Sequence, residues 1–238
     1  MRPSIVLLIA RVLFLFCYHA LSFSSEIAIT FDDLPASIEE SIEEQAQINQ
    51  RIVNALIKYK VPAIGFVNEG KLYRTNETQE KINFLRLWVD NGFDLGNHSY
   101  SHLHLSSLTP EQFKAEVTNG SKISKQLMQG AGREYRYFRH PYLDTGETFK
   151  IRSEFESFLK HEGYLVAPVT IDTDDWKFNR QLHEFPQNKD KIIQSYLKHT
   201  RAKFDFYESA SKQIFDRNID QIWLLHANLI NSLAIESL

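Results

Sequence analysis

Ile27-Ala28-Ile29-Thr30-Phe31-Asp32-Asp33 is the stretch that decides the fold: a short, largely apolar run leads directly into two carboxylates. A run of this length reads as a buried strand, and the helical periodicity that follows it points to a strand–helix unit. Ser37 with Glu40 predicts a capping box for that helix, whose apolar face is made by Ile42, Ala46, Ile52, Val53 and Leu56. Further along, Ala63 to Val67 predicts a strand, Phe84 to Val89 a helical stripe, and Phe93 to Leu95 a strand running into Gly96. Thr109, Pro110 and Gln112 supply an N-cap, an N1 proline and a capping box for a helix carrying Phe113, Val117 and Leu127 and ending near Gly130. Tyr135–Phe138 predicts a strand, Phe149–Leu159 a helix closed by Gly163, and Tyr164–Ile171 one strand. A long polar helix from Lys189 to Phe215 precedes the last apolar run, Ile222–Leu225. Repeated strand–helix units predict an α/β domain with a parallel sheet, open or closed into a barrel, and no linker divides it.

The apolar runs end in residues capable of chemistry. Phe31 is followed by Asp32-Asp33, Leu95 by a stretch containing His98 and His102, Phe138 by Arg139-His140-Pro141-Tyr142, Ile171 by Asp172-Thr173-Asp174-Asp175-Trp176, and Leu225 by His226. In barrels and open α/β sheets the carboxyl ends of the strands converge on one face, so five polar clusters are expected to meet. Two adjacent carboxylates that point in different directions let one bind a cation and the other accept a proton; the plainer reading is a turn pair capping a helix. His98 and His102, at i and i+4, share a side if the segment turns helically and so can share a metal, unless they are a surface pair. Arg139 is suited to holding a carboxylate ionised, or to a surface ion pair. His226 is a proton-donor candidate, or a satisfied core histidine. His104 breaks the histidine spacing and reads as a bystander.

Composition narrows the chemistry. The chain has 238 residues, 43% hydrophobic and 24% charged, with a formal charge of −3. No basic field is present for nucleic acid, so no nucleic-acid partner is expected. One cysteine, Cys17, leaves no disulfide framework, four-thiolate zinc site or iron–sulfur cluster, so a metal must be held by His, Asp or Glu. Residues 1–25 have a basic start at Arg2, an apolar run from Ile5 to Cys17 broken by Arg11, and small residues before Glu26. That layout predicts a signal peptide, export, and no stable membrane anchor after cleavage. The remainder, 26–238, carries no cysteine and is more acidic.

From Ile27 to about Asn231 the chain resembles the polysaccharide deacetylase family, the carbohydrate esterases built on the NodB homology domain. The resemblance lies in Thr30-Phe31-Asp32-Asp33, His98-Ser99-Tyr100-Ser101-His102, Arg139-His140-Pro141-Tyr142, Asp172-Thr173-Asp174-Asp175-Trp176 and Leu224-Leu225-His226, in that order. It implies a distorted, incomplete (β/α) barrel. It also implies Asp32 as general base, Asp33, His98 and His102 as ligands of one divalent metal, and Arg139 orienting the base. Tyr142 would offer its backbone N–H to the oxyanion, Trp176 would line the groove, and His226 would be the general acid, tuned by Asp175 with Asp172 as the second choice. Leu224 and Trp223 are candidates to wall the acetyl pocket, or core residues. Zinc is the expected ion, with cobalt and nickel as alternatives.

Three departures stand out. Leu34 replaces the family's usual glycine, His140 replaces a proline, and the chain stops 12 residues past His226, where the family continues for a further helix and strand. The expected activity is hydrolysis of the N-acetyl group of a neutral or weakly charged glycan. The alternatives are another C–N bond or an O-acetyl ester as substrate, or a glycan-binding protein without turnover. The loops Asn68–Lys81 and Phe178–Asp190 are expected to form the substrate groove.

Overall fold

The computed structural model describes residues 25–37 and 40–238. The predicted leader therefore lies, apart from Ser25, outside the described residues. Among those described, no helix is long and apolar enough to cross a membrane.

The chain runs β1 (Ile27–Leu34), α1 (Ile42–Tyr59), β2 (Ala63–Val67), α2 (Thr78–Asp90), β3 (Asp94–Asn97), α3 (Pro110–Asn119) and α4 (Lys122–Gly130). It continues through β4 (Tyr137–Phe138), α5 (Phe149–His161), β5 (Leu165–Val166), β6 (Ile171–Asp172), α6 (Asp175–Glu184), α7 (Lys189–Phe215), β7 (Gln221–His226) and α8 (Leu229–Ala234). The strands form one sheet in the order β5-β4-β3-β2-β1-β7-β6, with every pairing parallel.

Strand order alone forces curvature. A flat sheet of seven strands separates its edges by about 29 Å at the usual inter-strand spacing. Yet the edge strands β5 and β6 are consecutive in the chain, and the stretch from Val166 to Ile171 reaches only about 17 Å when extended. The sheet must therefore curl into a half-barrel with one open seam, which is the distorted (β/α) barrel the motifs imply.

The seam corrects the prediction of one strand over Tyr164–Ile171. Pro168 lies in its middle, where it has no N–H for a ladder, so the run divides into β5 and β6 on opposite edges. The carbonyls left in the gap still need donors. Arg139 supplies them, donating from Nε to Ala167 O at 2.8 Å and from Nη2 to Pro168 O at 3.4 Å.

Two helix predictions also change. The cap of α1 is Ser41, not Ser37: its hydroxyl accepts from Glu44 N and Glu44 returns the bond to Ser41 N, at 3.2 and 2.9 Å. Ser37 N instead donates to Ala227 O, tying the loop after β1 to the end of β7. The predicted helix 110–130 breaks at Gly120, where a Cβ would fall 2.5 Å from the Ser99 carbonyl carbon, so glycine admits the motif loop at this point.

The main core packs Phe31, Leu34, Val67, Leu95 and Leu225 of the sheet against Ile48, Ile52, Leu56, Leu85 and Trp88 of α1 and α2. Leu34 belongs to this core, fully buried over Gly65, where a Cβ would meet its side chain at 2.6 Å. The large residue after the paired aspartates is thus accommodated by a missing side chain on β2. Asn49 on α1 donates to Pro35 O and accepts from Trp88 Nε1, at 2.7 and 2.8 Å, fixing the backbone just beyond the carboxylates.

Candidate active site

Parallel register brings the strand ends level. Asp32 pairs with His226 across β1 and β7, Val67 with Asn97, and Asn97 with Phe138, while Arg139 N donates to Asn97 O. Asp32, Asp33, His98, His102 and His226 therefore open at one height into a cavity of about 940 Å³, with Arg139 buried behind Asp32. Of the eight non-glycine residues with positive φ among the described residues, six stand at these strand ends: Asp33, Ser99, His102, Tyr142, Leu143 and Asp174. Such conformations cost roughly 1–3 kcal/mol each and persist where the surroundings enforce them.

His98 and His102 converge, but not on a helix. Asn97 Oδ1 accepts from Ser99 N at 2.8 Å, and Ser99 Oγ accepts from His102 N at 3.2 Å, so a left-handed turn brings the rings to 5.0 Å. Glu116 holds the same loop from α3 through Ser101 N and Oγ, at 2.6 and 2.9 Å. His98 Nδ1 lies 2.8 Å from Arg139 O. A carbonyl only accepts, so Nδ1 carries the proton and Nε2 keeps its lone pair. Burial lowers the His98 pKa to about 3 and that of His102 to about 4, leaving both imidazoles neutral.

One ligand atom from each of Asp33, His98 and His102 lies within 4.8 Å of the others. Asp33 Oδ1 is buried and accepts no hydrogen bond, while His102 Nε2 and His98 Nε2 stand 3.5 and 3.9 Å from it. Burial works to raise the Asp33 pKa, but Lys71 and then His102 hold it well below the ordinary carboxylate range. An ionised oxygen without a hydrogen bond and two neutral imidazoles are the donor set of an open, three-ligand divalent site. The residues fit the expected metal.

Asp32 lies beside the metal donors and against Arg139. It is almost fully buried, its Oδ1 is 3.3 Å from Arg139 Nη1, and its Oδ2 is 3.7 Å from His98 Nε2. Burial raises its pKa to about 6, more than Arg139 and His226 lower it. Arg139 therefore does not keep Asp32 as acidic as expected from the sequence. The result suits a base working near neutrality better than a strong ion pair would.

His226 is held by one carboxylate at both its backbone and its ring. Asp175 Oδ1 sits 2.6 Å from His226 Nδ1, and Asp175 Oδ2 accepts from His226 N at 2.7 Å. Burial would lower the His226 pKa, but Asp175, with Asp33 and Asp32, raises it to about 10. Asp172 instead accepts from Asp174 N at 2.8 Å, so Asp175 is the partner and the second choice is excluded.

Alternation along β7 sends Leu224 and His226 into the cavity and Trp223 into the core, where it donates to Thr173 Oγ1 at 3.2 Å. Trp223 therefore does not wall the acetyl pocket. Trp176 is 46% exposed at the cavity, with Lys177 and Arg180 near its ring. Tyr142 also lines it, and His104 stacks on the Tyr142 ring at 3.7 Å, so His104 props the rim. His140 packs among Phe113 and Phe138, away from the metal donors, with its pKa lowered by burial to about 4.

Three residues lay outside the motif reading. Asn231 Nδ2 donates to Asp175 Oδ2 and to His226 O, and its Oδ1 accepts from Tyr196 OH at 2.6 Å. Neither had a signal short of the tertiary contact. Lys71 did: it follows the end of β2 in Asn68-Glu69-Gly70-Lys71, a strand end like the other five. These residues clamp the site, and only Lys71 and Arg74 of the Asn68–Lys81 loop line the cavity.

The family model for polysaccharide deacetylase matches residues 24–156. The chain is 25% identical over 154 residues to a peptidoglycan-N-acetylglucosamine deacetylase of Bacillus cereus, covering 64% of this chain and 47% of the relative. It is 27% identical over 167 residues to chitin deacetylase 1 of Saccharomyces cerevisiae, covering 68% and 46%. The chain thus spans about half the length of these curated relatives. Its fold is similar to that of a family 4 carbohydrate esterase pseudoenzyme from Bacillus anthracis, with a TM-score of 0.60 at 17% identity, covering 90% of this chain and 59% of that one. Fold, motif order and the matching family model together show that the chain belongs to the polysaccharide deacetylase family.

Proposed function

We propose that this protein is a metal-dependent hydrolase that removes the N-acetyl group from an N-acetylated glycan, releasing acetate and a free amine. The observation that carries this reading is the pairing of Asp32 and His226 across β1 and β7, a base near pKa 6 beside an acid held protonated, next to three converging metal donors. A divalent ion held by Asp33, His98 and His102, with zinc the first choice and cobalt or nickel as alternatives, supplies Lewis-acid polarisation of the acyl oxygen and a more nucleophilic water.

The chain's own groups perform the remaining steps. Asp32 takes the proton of the attacking water, a role worth about 10²–10⁴ in rate. Arg139 orients that carboxylate while closing the barrel seam. The Tyr142 backbone N–H is the proposed oxyanion donor, and Leu224 and Trp176 bound the acetyl group and a sugar face. His226 Nε2 delivers the proton to the departing nitrogen. An amine leaves poorly without that proton, whereas an ester oxygen needs it less, so a histidine held protonated by Asp175 favours amide over O-acetyl ester.

Peptidoglycan and chitin, named for the two relatives, are the first substrate classes to try. Residues 26–238 are proposed as the catalytic unit, exported by the leader at 1–25. The test is acetate release from chitooligosaccharides, peptidoglycan fragments and acetylated xylan. Release from the N-acetylated members is expected; release from the O-acetylated substrate alone refutes the amidase reading.

A further inference from the structure

We propose that Lys71 is a built-in counter-cation of the metal site, lowering the affinity of Asp33, His98 and His102 for a divalent ion. This inference rests on the metal-dependent reading above. Lys71 is 8% exposed, and its ammonium lies 3.2 Å from Asp33 Oδ1, the ligand oxygen that accepts no hydrogen bond. It donates to the carbonyls of Asp33 and Ala36, at 3.1 and 3.4 Å, on the two sides of Leu34-Pro35. These carbonyls hold the ammonium beside the ligand carboxylate.

The position is fixed by the fold. Asn68 N donates to Leu34 O, and its side chain donates to the carbonyl of His98, joining the two metal-binding loops. Glu69 accepts from Ile123 N, Ser124 N and Ser124 Oγ at 2.7–3.0 Å, anchoring the segment to the start of α4. Gly70 N donates to Tyr100 O at 2.9 Å, and a Cβ on Gly70 would lie 2.5 Å from that oxygen, so only glycine permits the approach. Lys81, 5% exposed, donates from the other side to Lys71 O at 3.2 Å. Each residue from Asn68 to Gly70 has a dedicated partner, and the next residue delivers a charge onto the ligand carboxylate.

Two cations then compete for one carboxylate. Without metal, Lys71 neutralises Asp33, so the entering ion meets a compensated ligand and a like charge a few ångströms away in a poorly solvated site. The consequence is a metal that binds more weakly than the same donors would hold it, and a protein whose loading follows the metal supplied to it.

The test uses the full chain and measures zinc affinity by competition with a chromophoric chelator, together with thermal melting of the metal-free protein. Lys71→Gln keeps a donor for the two carbonyls and removes the charge; Lys71→Met removes both and serves if the glutamine variant does not fold. Zinc binding tenfold or more tighter than wild type is expected in a folded variant. Unchanged or weaker affinity overturns the proposal, because Lys71 would then be only a brace for the loop. A wild type that binds no divalent ion overturns the metal-dependent reading itself, a failure seen before any variant is made.

Discussion

The two halves of the cavity are built on opposite principles. On the side of His226 the polar network is closed: Asp175, Asn231 and Tyr196 pair with one another and with the histidine through short hydrogen bonds, deep among α6, α7 and α8. On the side of Asp33 the His98 ring is fixed from behind, while the faces turned to one another leave lone pairs and an oxygen that accepts no hydrogen bond and meets only the Lys71 ammonium as a counter-charge. A closed network holds one protonation state, and an open one is a receptor for something absent from the chain. The difference matches the proposed roles, a residue that gives up a proton on one side and residues that hold an ion on the other.

Substitutions test that division. The largest effect is expected on the open side. Asp32→Asn should lower kcat by about 10²–10⁴ while stoichiometric metal is retained, whereas His98→Ala should lose both metal and acetate release. Elemental analysis beside acetate assays checks this, and loss of metal in Asp32→Asn would merge the roles separated above.

The next effect belongs to the closed side. Asp175 is the chief cause of the raised His226 pKa, so Asp175→Asn should let the imidazolium lose its proton at lower pH. The alkaline limb of the kcat/KM profile should then move from near 10 toward neutral, with a loss of about tenfold for each unit by which the assay pH exceeds the new limb. An unmoved limb would mean that another group sets it. The acid limb, which the proposal assigns to Asp32, should stay where it is in the wild type.

The smallest effect is structural. Tyr196→Phe leaves buried Asn231 Oδ1 without its donor, which should cost about 1–3 kcal/mol in chemical denaturation. Only a few-fold loss of activity is expected, because Asn231 still holds Asp175 and the His226 carbonyl.

Much of this was legible along the chain because strand ends in a parallel sheet are adjacent in space, so polar residues after apolar runs announce a site. Asp32, Asp33, His98, His102, Arg139, Asp175, Trp176, Leu224 and His226 all meet at the cavity or immediately behind it. Periodicity misread Tyr164–Ile171 because β-forming residues flank Pro168 on both sides, and only the seam of the barrel shows why the chain must break there. It left Trp223 open between pocket and core because neighbours in a strand face opposite ways, and a short apolar run does not say which face is buried. Asn231 and Tyr196 were out of reach: Asn231 meets Asp175 across 56 residues of sequence and Tyr196 meets Asn231 across 35, through contacts with no local pattern. The segment after His226 had no motif of its own to mark it. Yet its helix α8 supplies Asn231, which helps hold His226.

The most direct measurement is acetate released from an N-acetylated chitooligosaccharide by the wild-type protein, before chelation, after chelation, and after a divalent ion is restored. Acetate and free amine in equal amounts, lost on chelation and regained with metal, are the expected result. Acetate release that persists undiminished in protein shown to be metal-free, or no release from metal-loaded protein on any N-acetylated glycan, would contradict it.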